Sequence, residues 1–349
     1  MDVSERIVQE YLDKKKDYEK LGKIVESILH GVAEDTGVRV MAIEGRVKSE
    51  HSLKVKLERK GEKYRSLSDL TDIYGARVIC FFSDDVDKIA AAVSKKFRVD
   101  EANSVDKRAV LSPDAFGYLS LHFVFSLPQN SGYGAEMESI RFEVQIRSLL
   151  QHAWAEMQHD MGYKSAFGTP KNVVREFSRV AGLLEIADKM FCEIRDGVKK
   201  NEEEVTERIG NGTAGDMETD LTTLALYMKY NADIREFTDE LAKECGVKTV
   251  AEASSDSYLA QLKYLGLNTL GDIDALIKKD GEKAKELAKR DALAVGANSL
   301  SSTSGLKYLL NAELLRRNSS EKEIADFFKA TMNDTARAEK LAENLYSAR

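Results

Sequence analysis

Residues 140–147 read Ile-Arg-Phe-Glu-Val-Gln-Ile-Arg, and residues 119–127 read Leu-Ser-Leu-His-Phe-Val-Phe-Ser-Leu. Both runs alternate with period two, the mark of a strand with one buried face. In the first, Phe142, Val144 and Ile146 fall on one side and Glu143, Gln145 and Arg147 on the other. In the second, Ser120 and His122 share the face opposite Leu121, Phe123 and Phe125. Two strands that each carry one apolar and one partly polar face imply a half-covered sheet whose polar face is open for function. Ala-Arg-Val-Ile-Cys-Phe-Phe (76–82) reads as a buried strand, and residues 37–47 as an alternating one.

Around these strands the pattern is helical. Residues 4–34 carry Ile7, Tyr11, Tyr18, Leu21, Ile24 and Ile28 at the spacing of one or two amphipathic helices. Residues 49–60 read as a short basic helix, and 84–97 as an amphipathic one through Val86, Ile89, Val93 and Phe97. One helix is expected from 148 to about 163 and one long helix over 173–209. The stretch 209–216, with three glycines, is the best linker. It divides the chain into residues 1–210 and an acidic, all-helical region at 211–349. In the latter, helices are expected near 218–244, 256–265, 270–290, 305–316, 320–332 and 335–347, with polar breaks at 254–257 and 298–305.

The formal charge of −7 is unevenly placed. Residues 1–200 hold 32 basic and 32 acidic side chains, so the whole excess lies after them. Residues 46–65 hold eight basic groups against three acidic ones. The acidic total speaks against a bulk electrostatic binder of nucleic acid. No apolar run is long enough to span a bilayer, and the first residues lack the apolar core of a signal peptide. Cys80, Cys192 and Cys245 are far apart, with neither metal-type spacing nor a paired framework. A reduced, cytoplasmic protein without a membrane anchor is the expectation.

Several side chains are candidates for chemistry. Arg46, Lys48, Lys54, Lys56, Arg59, Lys60, Lys63 and Arg65 sit at a strand-to-helix transition. They form either a solvated helix face or a polyphosphate clamp, to which Ser49 and Ser52 would add donors near a helix start. No GxxxxGK[ST] segment is present, so this is not a P-loop. Asp69 fits a turn at the start of a strand. A carboxylate at a strand centre, as at Glu143, needs a partner. Gln145 and Arg147 would satisfy it, or it belongs to a Mg²⁺ site completed by substrate phosphates. Tyr118, entering a strand after Gly117, is either a packed turn aromatic or a platform for a base. His152, Glu156 and His159 share one helical face, a spacing open to metal binding, capping or phosphate contact. Trp154, the only tryptophan, reads as core.

The order of these segments is more specific than any one of them. Arg46-Val47-Lys48, Ser52 and Lys56 come first, then Asp69-Leu70-Thr71-Asp72-Ile73-Tyr74-Gly75-Ala76-Arg77-Val78. Gly117-Tyr118-Leu119-Ser120-Leu121-His122 follows, then Glu143-Val144-Gln145-Ile146-Arg147 with Trp154 and His159. This series, over roughly residues 20–200, resembles the RelA/SpoT-type alarmone synthetase domain. The resemblance implies a nucleotidyltransferase-like α/β (α+β) fold, a mixed sheet flanked by helices. It implies Mg²⁺-dependent transfer of the β,γ-pyrophosphate of ATP to the 3′-hydroxyl of GDP or GTP, making (p)ppGpp. Arg46, Lys48, Ser52, Lys56 and Arg77 would hold ATP, and Asp72 would bind the metal. Glu143 would join the metal or act as base on the hydroxyl. Tyr118 would stack on the acceptor base beside Ser120 and His122. Gln145 and Arg147 would support the strand, and His159 and Lys164 would contact phosphates.

Two departures from the family pattern fall on the acceptor side. Many members carry Lys-Pro-Asn before the Gly-Tyr, where this chain has Pro113-Asp114-Ala115-Phe116, leaving Lys107 or Arg108 as replacement cations. Leu119 stands where relatives often have a basic or polar residue. The alternatives are therefore a toxin-type pyrophosphotransferase acting on adenine nucleotides or the tRNA 3′ end, and a non-catalytic nucleotide-binding module. With only 45 residues before Arg46, the hydrolase domain of bifunctional members is not expected. A homo-oligomer is compatible with the helical tail.

Overall fold

The computed structural model describes residues 2–106, 120–163, 171–251, 256–332 and 334–349. The chain divides into two units, Met1–Arg195 and Asp196–Arg349. The division falls inside a long helix rather than in the glycine-rich stretch.

The first unit opens with α1 (Val3–Thr36), a single helix. Its start is fixed by a reciprocal cap, in which the Asp2 carboxylate accepts from the first turn and Glu5 accepts from the Asp2 N–H at 3.0 Å. It ends at Gly37, whose φ of 64° is left-handed and favours a residue without Cβ. Next come β1 (Val40–Val47), α2 (Glu50–Lys60), β2 (Tyr74–Cys80), α3 (Asp85–Lys96), β3 (Arg98–Val99) and β4 (Val105–Asp106). They are followed by β5 (Leu121–Ser126), α4 (Ala135–Ser139), β6 (Phe142–Ser148), α5 (Leu149–Tyr163) and α6 (Lys171–Gly210), the last crossing the unit boundary.

The strands form one mixed sheet in the order β1-β2-β6-β5-β3, with β4 also on β5. β2 and β6 run parallel, whereas β1–β2 and β5–β6 are antiparallel. Facing residues share a face, so register decides what meets. One row across the sheet is Arg46, Gly75, Glu143 and Val124, and the next is Glu44, Arg77, Gln145 and His122. The opposite face is the core. Val78, Val144 and Ile146 pack there with Leu21, Val25 and Leu29 of α1 and with Ile89 and Val93 of α3. Phe97, Phe125 and Phe142 close the cluster, their ring centres 5.2 to 6.2 Å apart.

α1 lies very close to β1 and β2. A Cβ on Gly45 would stand 2.2 Å from the Tyr74 hydroxyl and 2.1 Å from Glu26 Oε1. Tyr74 is buried, and its hydroxyl donates to Glu26 at 3.1 Å, so its ring has nowhere to retreat. Gly45→Ala is expected to destabilise the first unit by about 1–3 kcal/mol, the usual cost of overpacking. Thermal unfolding followed by circular dichroism checks this, and an unchanged midpoint would contradict it.

The second unit is largely helical. After the C-terminal part of α6 it contains α7 (Leu221–Tyr230), α8 (Ala232–Glu244), α9 (Asp256–Tyr264), α10 (Leu270–Val295), α11 (Ser304–Arg316), α12 (Glu321–Lys329) and α13 (Thr335–Tyr346). Two details differ from the sequence expectation. The single helix expected over 218–244 is two, because Asn231 caps α8 by accepting the Ile234 N–H at 3.0 Å. A short parallel pair, β7 (Lys248–Val250) with β8 (Ser299–Ser301), lies within a region expected to be all helix. Thr249 and Leu300 face each other in this pair, and β8 comes from the stretch that reads as a polar break. Helix α11 is buried on nearly every side, including Leu306, Leu309, Leu310 and Leu314. Among the described residues no helix is long and apolar enough to cross a membrane.

Candidate active site

The polar face of the sheet forms the wall of a cleft of about 440 Å³. It is lined by β1 (Glu44 to Val47), by Lys48, Ser49 and Ser52 at the start of α2, by Asp72, by Gly75 to Arg77 of β2, and by Glu143 and Gln145 of β6. Sequence reading selects Arg46, Lys48, Ser52, Asp72, Arg77, Glu143 and Gln145, and the fold brings all seven to this cleft. Glu44 and Gly75 are additional lining residues. Both are one step from a selected residue in register, Glu44 opposite Arg77 and Gly75 opposite Glu143. A larger cavity of about 950 Å³ lies at the start of α1 and the end of α2. Its four acids, Asp2, Glu5, Glu58 and Glu62, outnumber its two cations, Lys54 and Arg65, a poorer lining for polyphosphate than that of the smaller cleft.

The start of α2 opens on the cleft because Ser49 caps it. The Ser49 hydroxyl accepts the Ser52 N–H at 3.2 Å and donates to the Ser52 hydroxyl at 2.9 Å. The Lys48 backbone is pinned on both sides, its N–H donating to the Ile73 carbonyl at 2.7 Å and its carbonyl accepting from the Tyr11 hydroxyl at 2.6 Å. Lys48 and Lys56 then converge on one carboxylate. Lys48 Nζ lies 3.1 Å from Asp72 Oδ2, and Lys56 Nζ donates to Oδ1 at 2.7 Å. Burial alone would raise the Asp72 pKa, but the two ammonium groups outweigh it and hold the carboxyl below its usual range. Asp69, in contrast, accepts from the Arg65 and Ser66 backbone and belongs to the turn.

Glu143 sits at the centre of the sheet. His122 Nδ1 lies 3.2 Å from its Oε1, and Gln145 Nε2 donates to the same oxygen at 2.6 Å. Burial would push this carboxyl up, yet these donors bring it below its usual value, with the Asp72 charge opposing them. Both protein donors therefore fix Oε1, and no described residue donates to Oε2. Two ionised carboxylates that feel each other's charge line one cleft beside a cluster of cations. This donor set suits a hard divalent ion completed by phosphate oxygens.

Arg77 reaches from β2 to Glu156 of α5, with Nη1 2.8 Å from Oε1. The buried Arg147 approaches the same oxygen at 3.8 Å. The face carrying His152, Glu156 and His159 thus commits its acid to arginine, and among the described residues no group of three metal-type side chains assembles. Burial, with Arg147 and Arg77 nearby, lowers the His152 pKa below the usual imidazole value. Trp154 is buried as expected, its indole N–H donating to the Phe177 carbonyl at 3.1 Å. Ser120 is buried just before β5, and His159 is exposed on α5; neither lines the cleft. Tyr118 and Lys164 lie outside the described residues, as do Lys107, Arg108, Pro113, Asp114 and Leu119.

Comparison with known proteins finds relatives for the part of the chain that carries this cleft. Residues 45–167 match the pattern described as "Region found in RelA / SpoT proteins". The chain is 30% identical over 158 residues to GTP pyrophosphokinase YwaC of Bacillus subtilis, a match spanning 44% of this chain and 71% of that one. It is 28% identical over 168 residues to GTP pyrophosphokinase YjbM of the same organism, spanning 48% and 77%. Among solved structures, a GTP pyrophosphokinase family protein from Streptococcus pneumoniae is 27% identical with a TM-score of 0.47, covering 55% of this chain and 96% of the other.

Proposed function

Since the chain belongs to the RelA/SpoT family of GTP pyrophosphokinases, we propose that it transfers the β,γ-pyrophosphate of ATP to the 3′-hydroxyl of GDP or GTP. The observation that carries this reading is the convergence of Arg46, Lys48, Ser52, Asp72, Arg77 and Glu143 on one cleft. Such a transfer is mostly positioning and charge neutralisation. The acceptor 3′-oxygen bonds to the β-phosphorus, the link from that phosphorus to the α-phosphate oxygen breaks, and AMP leaves.

Arg46, Arg77, Lys48 and Lys56 supply the cations around the donor phosphates. Arginine gives a planar fork and lysine a point charge. The α2 start, with Ser52, adds hydroxyl and backbone donors. Asp72 would hold Mg²⁺, which when bound neutralises charge on the transferring phosphates. Lys48 and Lys56 keep Asp72 ionised, and a donor phosphate arriving beside them gives both ammonium groups a second anion. Glu143 takes the 3′-hydroxyl proton at its open oxygen, Oε2, while His122 and Gln145 keep the carboxylate from rotating. His122, Gln145 and Arg147 act as supports of the acceptor side. Tyr118 and Ser120 are proposed acceptor contacts, and His159 and Lys164 contacts to acceptor or donor phosphates, on family resemblance alone.

The acceptor is a guanine nucleotide in this reading. Incubation with labelled ATP, Mg²⁺ and in turn GDP, GTP, ADP, ATP and uncharged tRNA tests it. GDP and GTP should be converted and the others left unchanged. Labelled tRNA or an adenine product instead would replace the acceptor, in keeping with the missing lysine before Tyr118.

A further inference from the structure

Arg77 is the cleft's one cation carried on the floor of the sheet by β2, and strand position alone does not aim its long side chain. Its guanidinium is only partly exposed, and among the described residues Glu156 is the single acid within ion-pair distance of it. Glu44 faces Arg77 across the β1–β2 pair but makes no ion pair with it. Glu156 does not line the cleft, so it reaches Arg77 from the side.

The helix that presents Glu156 is held firmly. At its start, the Ser148 hydroxyl accepts the Gln151 N–H at 3.1 Å while the Gln151 side chain accepts the Ser148 N–H at 3.0 Å. Two residues before Glu156, Trp154 is buried and hydrogen-bonded to Phe177. Arg147, buried beneath, adds a second positive charge near the same carboxylate oxygen. A carboxylate on a fixed helix thus selects one of the many orientations open to the Arg77 fork.

We propose that Glu156 is a positioning residue for the donor side: it sets the Arg77 guanidinium in the cleft before ATP arrives. This rests on the reading of the cleft as an ATP site. It predicts a selective effect. Glu156→Gln should weaken binding of a non-hydrolysable ATP analogue by about tenfold, as expected for coupled neighbours, and raise the KM for ATP in parallel. The KM for the acceptor and kcat should stay within about twofold, and the unfolding midpoint should not move. Glu156→Asp, which keeps the charge on a shorter arm, should recover part of the loss. In an Arg77→Ala background, Glu156→Gln should cost nothing further.

The measurements are calorimetric titration of the full chain with the ATP analogue, and steady-state kinetics for both substrates. Unchanged analogue affinity in Glu156→Gln would overturn the proposal, as would a loss that adds fully to that of Arg77→Ala. A parallel change of every parameter with a lower unfolding midpoint would also overturn it, since that marks a merely structural contact. A wild-type chain that binds the analogue but makes no product would refute the transfer reading, while the affinities would still decide the role of Glu156. A wild-type chain that does not bind the analogue overturns both.

Discussion

Glu143→Gln is expected to reduce pyrophosphoryl transfer by about 10²–10⁴-fold, the contribution typical of a positioned general base, with little change in folding stability. Glutamine keeps the shape and retains an oxygen to accept from His122 Nδ1 and Gln145 Nε2, which now bond Oε1 at 3.2 and 2.6 Å. It loses the negative charge and the site for the hydroxyl proton. Burial raises the Glu143 pKa, but its donors outweigh burial and leave the carboxyl below its ordinary 4.5. The group is therefore already ionised at neutral pH, and its own limb in the rate profile lies on the acid side of 4.5. Single-turnover rates of wild type and variant, with unfolding midpoints alongside, check both parts. A variant that transfers at the wild-type rate would remove Glu143 from the mechanism.

Asp72→Asn is expected to cost about 10²–10³-fold in rate, the scale associated with losing one preorganised electrostatic group. It should also raise the Mg²⁺ concentration needed for half-maximal rate. The substitution removes one of two carboxylates in the cleft and leaves Lys48 and Lys56, now 3.1 and 2.7 Å from Asp72, facing each other without their shared anion. Stability should respond with a defined sign. The folded-state pKa of Asp72 lies below its ordinary 3.8, because its two lysines outweigh the opposing effect of burial. Its stabilising contribution is thus present above that value and is lost as pH falls through the depressed folded value. Wild type should be more stable than Asp72→Asn at neutral pH, and the gap should close under strongly acid conditions. Thermal unfolding across pH measures this. A gap independent of pH, or an unchanged Mg²⁺ requirement, would contradict the account.

What sequence could reveal about this site follows from how local each signal is. Alternation in 140–147 is a property of adjacent residues, so the opposed faces of Glu143 and Val144 are legible directly. The basic stretch at 46–65 is legible as charge, but its shared target is not. Lys56 meets Asp72 across 16 residues and Arg77 meets Glu156 across 79, distances that only the folded sheet closes. The helical spacing of His152, Glu156 and His159 is real, yet Glu156 takes its partner from β2 rather than from that face. Gly75 gives no side-chain signal at all, and its place in the cleft comes from pairing with Glu143. In the second unit, the single residue Asn231 divides one expected helix by capping the next. The β7–β8 pair joins two three-residue strands far apart in sequence, too short for alternation to mark.

The central claim is that this cleft moves an intact pyrophosphate. Mass spectrometry and ³¹P NMR of a reaction with ATP, GDP and Mg²⁺ test it most directly. The expected result is one AMP released for each guanine nucleotide that gains two phosphates at its 3′-oxygen. Release of ADP or inorganic phosphate without AMP, or recovery of both nucleotides unchanged, would contradict it.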